Sequence, residues 1–139
     1  EVYLADAGHR LVWRFDTSGT LRGQIGRKDR SRNDRGFIVP SPYFDLAVTP
    51  CGRYVLVIAR GSLVVFGRDP ATGLLSFLEA AFHGEGGVTG IRMPYDLAVS
   101  ADGSDVVYGS YDSVAVFTTR SFADGFESGG TGQWSTTVP

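Results

Sequence analysis

A segment of this chain returns at a fixed spacing of 51 residues, and an internal period restricts the fold more tightly than composition does. Asp45-Leu46-Ala47-Val48 recurs as Asp96-Leu97-Ala98-Val99. Held without gaps, the offset aligns residues 45–66 with 96–117 and gives nine identities in 22 positions. Among them are Gly52 with Gly103, Val55 with Val106, Ser62 with Ser113 and Phe66 with Phe117. One step further back lands on Phe15, which closes Leu11-Val12-Trp13-Arg14-Phe15. Phe15, Phe66 and Phe117 therefore mark one point in three successive units. A unit of this size cannot bury its apolar surface alone and must stack on its neighbours.

Each unit reads as short strands separated by turn residues. In the middle unit, Tyr43 to Val48 is a first strand and Thr49-Pro50-Cys51-Gly52 a turn. Arg53 to Ala59 is a second strand, Arg60-Gly61 turns the chain, and Ser62 to Phe66 is a third. Asp69-Pro70-Ala71-Thr72-Gly73 is a longer turn with Pro and Gly where turn geometry wants them, and Leu74 to Phe82 is a fourth strand. The first unit offers Val2 to Ala5, Leu11 to Phe15 and Thr20 to Ile25. The third offers Tyr95 to Val99, Asp105 to Gly109 and Ser113 to Thr118, with no marked fourth strand. No 3.6-residue periodicity is sustained, so helix should be scarce.

Four strands in about 40–50 residues is the arithmetic of a propeller blade. The expected fold is all-β: β-propeller blades of four antiparallel strands, about 2.7 repeats of 51 residues in an incomplete ring. Residues 1–120 form the partial propeller, with blades at about 1–36, 37–87 and 88–120, and residues 121–139 a Gly/Ser/Thr-rich tail. Rings of this kind close with about four to eight blades. The expected partners are therefore the remaining blades, supplied by the same chain upstream or by other copies. Glu1-Val2-Tyr3-Leu4 reads as the interior of a strand rather than a signal peptide, which favours a longer chain.

Composition removes several function classes. Glycine, 19 of 139 residues, is about twice its usual share, as tight turns in every blade require. A net charge of −2 gives no nucleic-acid footprint, and no apolar run approaches the ~20 residues of a membrane helix. One Cys and two His build neither a disulfide framework nor a closed zinc site. No metal and no cofactor are expected. The two histidines, His9 and His83, are read as turn or core residues, and no Gly-x-Ser-x-Gly elbow supplies a serine nucleophile. Cys51 replaces the Asp of the Asp102-Gly103 turn in the next unit and is read as a solvent-near, unpaired thiol.

Val2-Tyr3-Leu4-Ala5-Asp6-Ala7-Gly8-His9-Arg10-Leu11-Val12-Trp13-Arg14-Phe15-Asp16 resembles the NHL-type repeat, without its Asn. Gly61 to Leu75, with the Asp69-Pro70-Ala71-Thr72-Gly73 turn, is closer to the lactonase-like seven-bladed propellers of bacteria, as is Asp96 to Phe117. The resemblance spans roughly residues 1–118 and implies fold more than function. Phe122 to Ser135 resembles a short C-terminal tail of some secreted bacterial proteins, which implies a secreted or extracytoplasmic location. Avoidance of cysteine is compatible with that compartment.

The candidate site follows from the same comparison. Asp45 and Asp96 stand at the start of each innermost strand, where a propeller lines its channel. They read either as ligand contacts or as structural carboxylates accepting backbone N–H groups, and recurrence in each unit favours the second. In lactonases of this fold an inner-strand carboxylate and channel arginines open a cyclic ester. That resemblance assigns water activation to Asp45 and oxyanion stabilisation to Arg60. The family's inner-strand His is not matched, since Tyr43-Phe44 and Pro94-Tyr95 fill that neighbourhood. Phe44 stands where calcium-dependent lactonases carry Asn or Asp. The leading expectation is therefore a repeat scaffold or binding module with loop contacts at one rim, and the alternative a lactonase-like hydrolase. Arg27, Lys28, Arg30, Arg32 and Arg35, with Arg22, form a basic run broken by Asp29 and Asp34. It reads as a solvated insertion, or as a patch for an anionic protein or polysaccharide ligand.

Overall fold

The computed structural model describes residues 1–26 and 44–118. The described residues contain ten strands and no helix: β1 (Val2–Asp6), β2 (Leu11–Phe15), β3 (Leu21–Gly26), β4 (Asp45–Val48), β5 (Tyr54–Ala59), β6 (Ser62–Arg68), β7 (Leu75–Phe82), β8 (Pro94–Val99), β9 (Asp105–Ser110) and β10 (Val114–Thr118). They form three antiparallel sheets in chain order, β1-β2-β3, β4-β5-β6-β7 and β8-β9-β10. The middle sheet is a complete four-stranded blade. The first lacks an innermost strand and the third a fourth strand, so the described residues make part of a propeller and no closed ring. The tail at 121–139, the expected start of β4 at Tyr43 and the basic residues from Arg27 to Arg35 lie outside the described residues.

Strand alternation assigns the packing. In β5, Leu56 and Ile58 point to one side of the middle blade, and Val55, Val57 and Ala59 to the other. The first set packs with Leu63 and Val65 against Leu97, Val106, Tyr108, Ala115 and Phe117 of the third sheet. The second packs with Val64 and Phe66 against Val12, Tyr3 and Ile25 of the first. Both faces of the middle blade are thus buried, which is why Val55–Ala59 and Leu63–Phe66 read as unbroken apolar runs.

The period is carried into backbone detail. The register between β2 and β3 shifts at Arg14/Phe15, and that between β6 and β7 at Val65/Phe66, 51 residues on. A β-bulge at such a point sharpens local twist, and the irregularity falls at the same repeat position in both blades. The β4–β5 and β8–β9 turns are likewise copies. Gly52 donates to Thr49 O and Gly103 to Ser100 O, both glycines at positive φ (70° and 75°). The Thr49 and Ser100 hydroxyls accept the N–H groups of Tyr54 and Asp105.

A polar clamp ties the first sheet to the β6–β7 turn. Tyr3 Oη donates to Gly73 O at 2.7 Å and receives Arg68 Nε at 2.9 Å. Arg14 reaches Glu1 Oε1 at 3.2 Å and Thr72 O, and Arg68 Nη1 donates to Gly52 O at 3.0 Å. Burial raises the Tyr3 phenol above its ordinary pKa, so it remains a neutral donor.

Candidate functional site

Register brings the candidate residues to one rim. Asp45 pairs with Ile58, next to the Arg60-Gly61 turn, and Asp96 pairs with Gly109, next to the turn containing Tyr111 and Asp112. Asp6 pairs with Leu11, so the Ala7–Arg10 turn lies on that rim too. The Asp69–Gly73, Thr49–Arg53 and Ser100–Ser104 turns occupy the other rim.

Asp45 and Asp96 meet at a single backbone N–H. Leu97 N donates to Asp45 Oδ2 at 3.1 Å across the seam and to Asp96 Oδ1 at 2.9 Å within its own strand. Asp45 Oδ1 also accepts Leu46 N at 2.8 Å. Both carboxylates therefore act on backbone donors, and Asp45 joins two blades. Arg60 sits exposed in the turn beyond β5 on the same rim. Tyr95 and Tyr111, 51% and 73% exposed, stand beside Asp96 with ring centroids 6.3 Å apart. No group of three or more metal-ligating side chains occurs among the described residues.

A further constellation on this rim escapes a reading by spacing alone. Asp6 Oδ2 receives His9 Nδ1 at 2.8 Å and Trp13 Nε1 at 3.0 Å, while Asp6 Oδ1 receives His9 N at 3.0 Å. These donors, Trp13 first, lower the Asp6 carboxyl to a pKa of about 2. The His9 ring is largely exposed, and its contact with Asp6 is made through Nδ1. Arg10 follows at φ 60°, the non-glycine residue with positive φ among the described ones. Such a backbone is uncommon for arginine and is held by the turn around it. The clue in the sequence is the Asp-x-x-His spacing, an Asx-type turn signal whose side chain also reaches the imidazole.

Other candidates resolve simply. Arg22, at the edge of the basic run, pairs with Asp16 at 2.7 Å. Cys51 is exposed beside Thr49 Oγ1 at 3.3 Å. Partial desolvation pushes its thiol up, but the Thr49 and Arg53 hydrogen bonds and the Arg53 charge outweigh that and lower it overall.

No family model matches the sequence, and no curated protein matches it. Solved structures do match the fold. A Bacteroides fragilis protein provisionally described as a 6-phosphogluconolactonase superposes with TM-score 0.68 at 17% identity, over 96% of this chain and 33% of its own. A provisional 6-phosphogluconolactonase of Bacteroides uniformis gives 0.66 at 18%, over 97% and 35%. The periplasmic gluconolactonase of Pseudomonas aeruginosa gives 0.58 at 24%, over 92% and 33%. The chain thus spans about a third of the structures it matches, and its fold is that of lactonase-like proteins.

Proposed function

We propose that these blades belong to a lactonase-type hydrolase that opens the cyclic ester of a sugar acid at the propeller rim. The observation that carries the reading is the fold match, in which one solved structure is described as a gluconolactonase and two are provisionally described as 6-phosphogluconolactonases. The rim bearing Asp45, Asp96, Arg60 and the Asp6–His9 pair supplies suitable chemistry. A lactone carbonyl needs an attacking water and a positive donor for its developing oxyanion. Arg60, exposed on the rim, suits the oxyanion. Asp45 suits the water, with His9 Nε2 a second base oriented by Asp6. Extracytoplasmic placement and an anionic partner for Arg27, Lys28, Arg30, Arg32 and Arg35 are further parts of this proposal.

A second reading, a binding scaffold without turnover, is favoured by one observation: Asp45 and Asp96 already accept backbone N–H groups. Proton release from glucono-δ-lactone and 6-phosphogluconolactone, followed against the spontaneous rate, separates the two. The hydrolase reading expects acceleration that falls by about 100-fold in Arg60→Ala. Lactone binding by the folded chain with no acceleration supports the scaffold and overturns the hydrolase.

A further inference from the structure

We infer that Trp13 is a positioning residue for His9. Its indole N–H fixes the Asp6 carboxylate, which in turn holds the His9 proton on Nδ1 and leaves Nε2 as the basic nitrogen. The catalytic use of this arrangement rests on the lactonase reading; the positioning itself rests on hydrogen-bond geometry alone.

One carboxylate gathers three donors. Asp6 Oδ1 accepts His9 N at 3.0 Å, and Asp6 Oδ2 accepts both Trp13 Nε1 at 3.0 Å and His9 Nδ1 at 2.8 Å. An ionised carboxylate only accepts, so the hydrogen of the Asp6–His9 bond belongs to Nδ1. In the neutral ring the lone pair is then on Nε2. Bonds to the charged form keep Asp6 ionised, its carboxyl lowered to about 2 with Trp13 as the largest cause. Trp13 reaches Asp6 from the adjacent strand rather than from the turn. Trp13 pairs with Leu4 and Leu11 with Asp6, so the two side chains stand two positions apart on one face of the β1–β2 hairpin. A strand holds such a group more firmly than a loop does.

His9 is the base this rim is best built to supply. Asp45 accepts Leu46 N and Leu97 N through its two oxygens, and Asp96 accepts Leu97 N. Asp6 binds its proton too weakly to serve. An imidazole suits proton exchange near neutral pH, and the His9 side chain is 74% exposed, within reach of water. In lactone opening, Nε2 takes a proton from water as the water oxygen adds to the carbonyl carbon. When the ring C–O bond breaks, that proton passes to the departing alkoxide, giving the hydroxy acid and restoring neutral His9.

Nitrogen NMR of the isotope-labelled chain, at a pH where its two imidazoles are neutral, reads the tautomer directly. His83→Gln leaves His9 as the one remaining signal. Free neutral histidine keeps its proton mainly on Nε2, so an Nδ1–H signal for His9 is the expected departure. Trp13→Phe keeps an aromatic ring on β2 without the N–H, and should return part of the His9 population to Nε2–H. The same variant should lower kcat for glucono-δ-lactone by about 10-fold with KM unchanged. If Trp13→Phe loses its β-sheet circular dichroism, Asp6→Asn is the second variant and should move the tautomer the same way. An Nε2–H ring in the unaltered chain overturns the positioning, as does a tautomer unchanged in the folded variant. An Nδ1–H ring in a chain that does not hydrolyse the lactone overturns the catalytic use of His9 together with the lactonase reading, and upholds the positioning.

Discussion

Asp45 Oδ2 accepts the backbone N–H of Leu97 at 3.1 Å, across the seam between the middle and third sheets. Hydrogen bonds to a charged acceptor contribute about 1.5–3 kcal/mol. Asp45→Ala should therefore lower stability by about 2 kcal/mol, read as a drop in the urea midpoint. Asp45→Asn, which keeps a carbonyl acceptor, should lose less. Asp96→Ala removes only the contact inside β8 and should lose less than Asp45→Ala. Equal midpoints for the two alanine variants would show that the seam bond contributes nothing.

Ser62 and Ser113 are repeat equivalents in different surroundings. Ser62 Oγ is buried without a hydrogen-bond partner, whereas Ser113 Oγ donates to Gly90 O at 3.2 Å. An unsatisfied buried hydroxyl opposes folding, and its removal relieves that penalty. Ser62→Ala should raise the urea midpoint, and Ser113→Ala should lower it through a loss of about 1 kcal/mol in stability. Opposite signs in one repeat position are the expected result, and a loss in both would sink the assignment for Ser62.

Gly103 at φ 75° closes the β8–β9 turn with its N–H on Ser100 O. A side chain in that left-handed region is disfavoured by about 1–2 kcal/mol. Gly103→Ala should destabilise the fold by that amount, seen as a lower thermal midpoint, while Gly103→Asn, the residue type most tolerant of this backbone, should recover part of it. Alanine and asparagine variants melting alike would remove the conformational explanation.

Asp6 and Asp102 both titrate at about 2 in the folded chain, against an ordinary value of 3.8. Trp13 and His9 hold the first ionised, and Ser100 and Ser104 the second. A lowered folded pKa contributes stability that is present above about pH 4 and is lost as pH falls toward 2. The thermal midpoint should therefore decline between pH 4 and 2, and Asp6→Asn should flatten that decline. An unchanged slope in Asp6→Asn would mean that the carboxylate is not linked to folding.

Tyr108 is fully buried, with Oη donating to Ile91 O at 3.1 Å. Burial raises its phenol pKa, so it remains the protonated donor. Tyr108→Phe keeps the packing and should cost about 1 kcal/mol by urea unfolding. Tyr108→Ala should cost several times more through the cavity it leaves. Similar losses in the two variants would show that the hydroxyl, not the ring, carries the residue's contribution.

By itself the sequence determined the blade. The 51-residue period, the turn residues and the alternation place all ten described strands within a residue or two, because propensity and pattern act over a few neighbours. The fourth strand of the middle blade was legible through its Asp-Pro-Ala-Thr-Gly turn, and the resemblance of Gly61–Leu75 to lactonase-like propellers agrees with the fold of the solved relatives. What the tertiary structure decided is the work of individual polar groups. Recurrence suggested that Asp45 and Asp96 are structural, but only the approach of two sheets shows Asp45 reaching Leu97, 52 residues away. Asp6 and His9 are three residues apart, and their bond depends on how the turn folds back on Trp13. Strand formation is local and repeats with the chain. A carboxylate's partner is set by which blade packs beside it, and that contact lies outside any window of sequence.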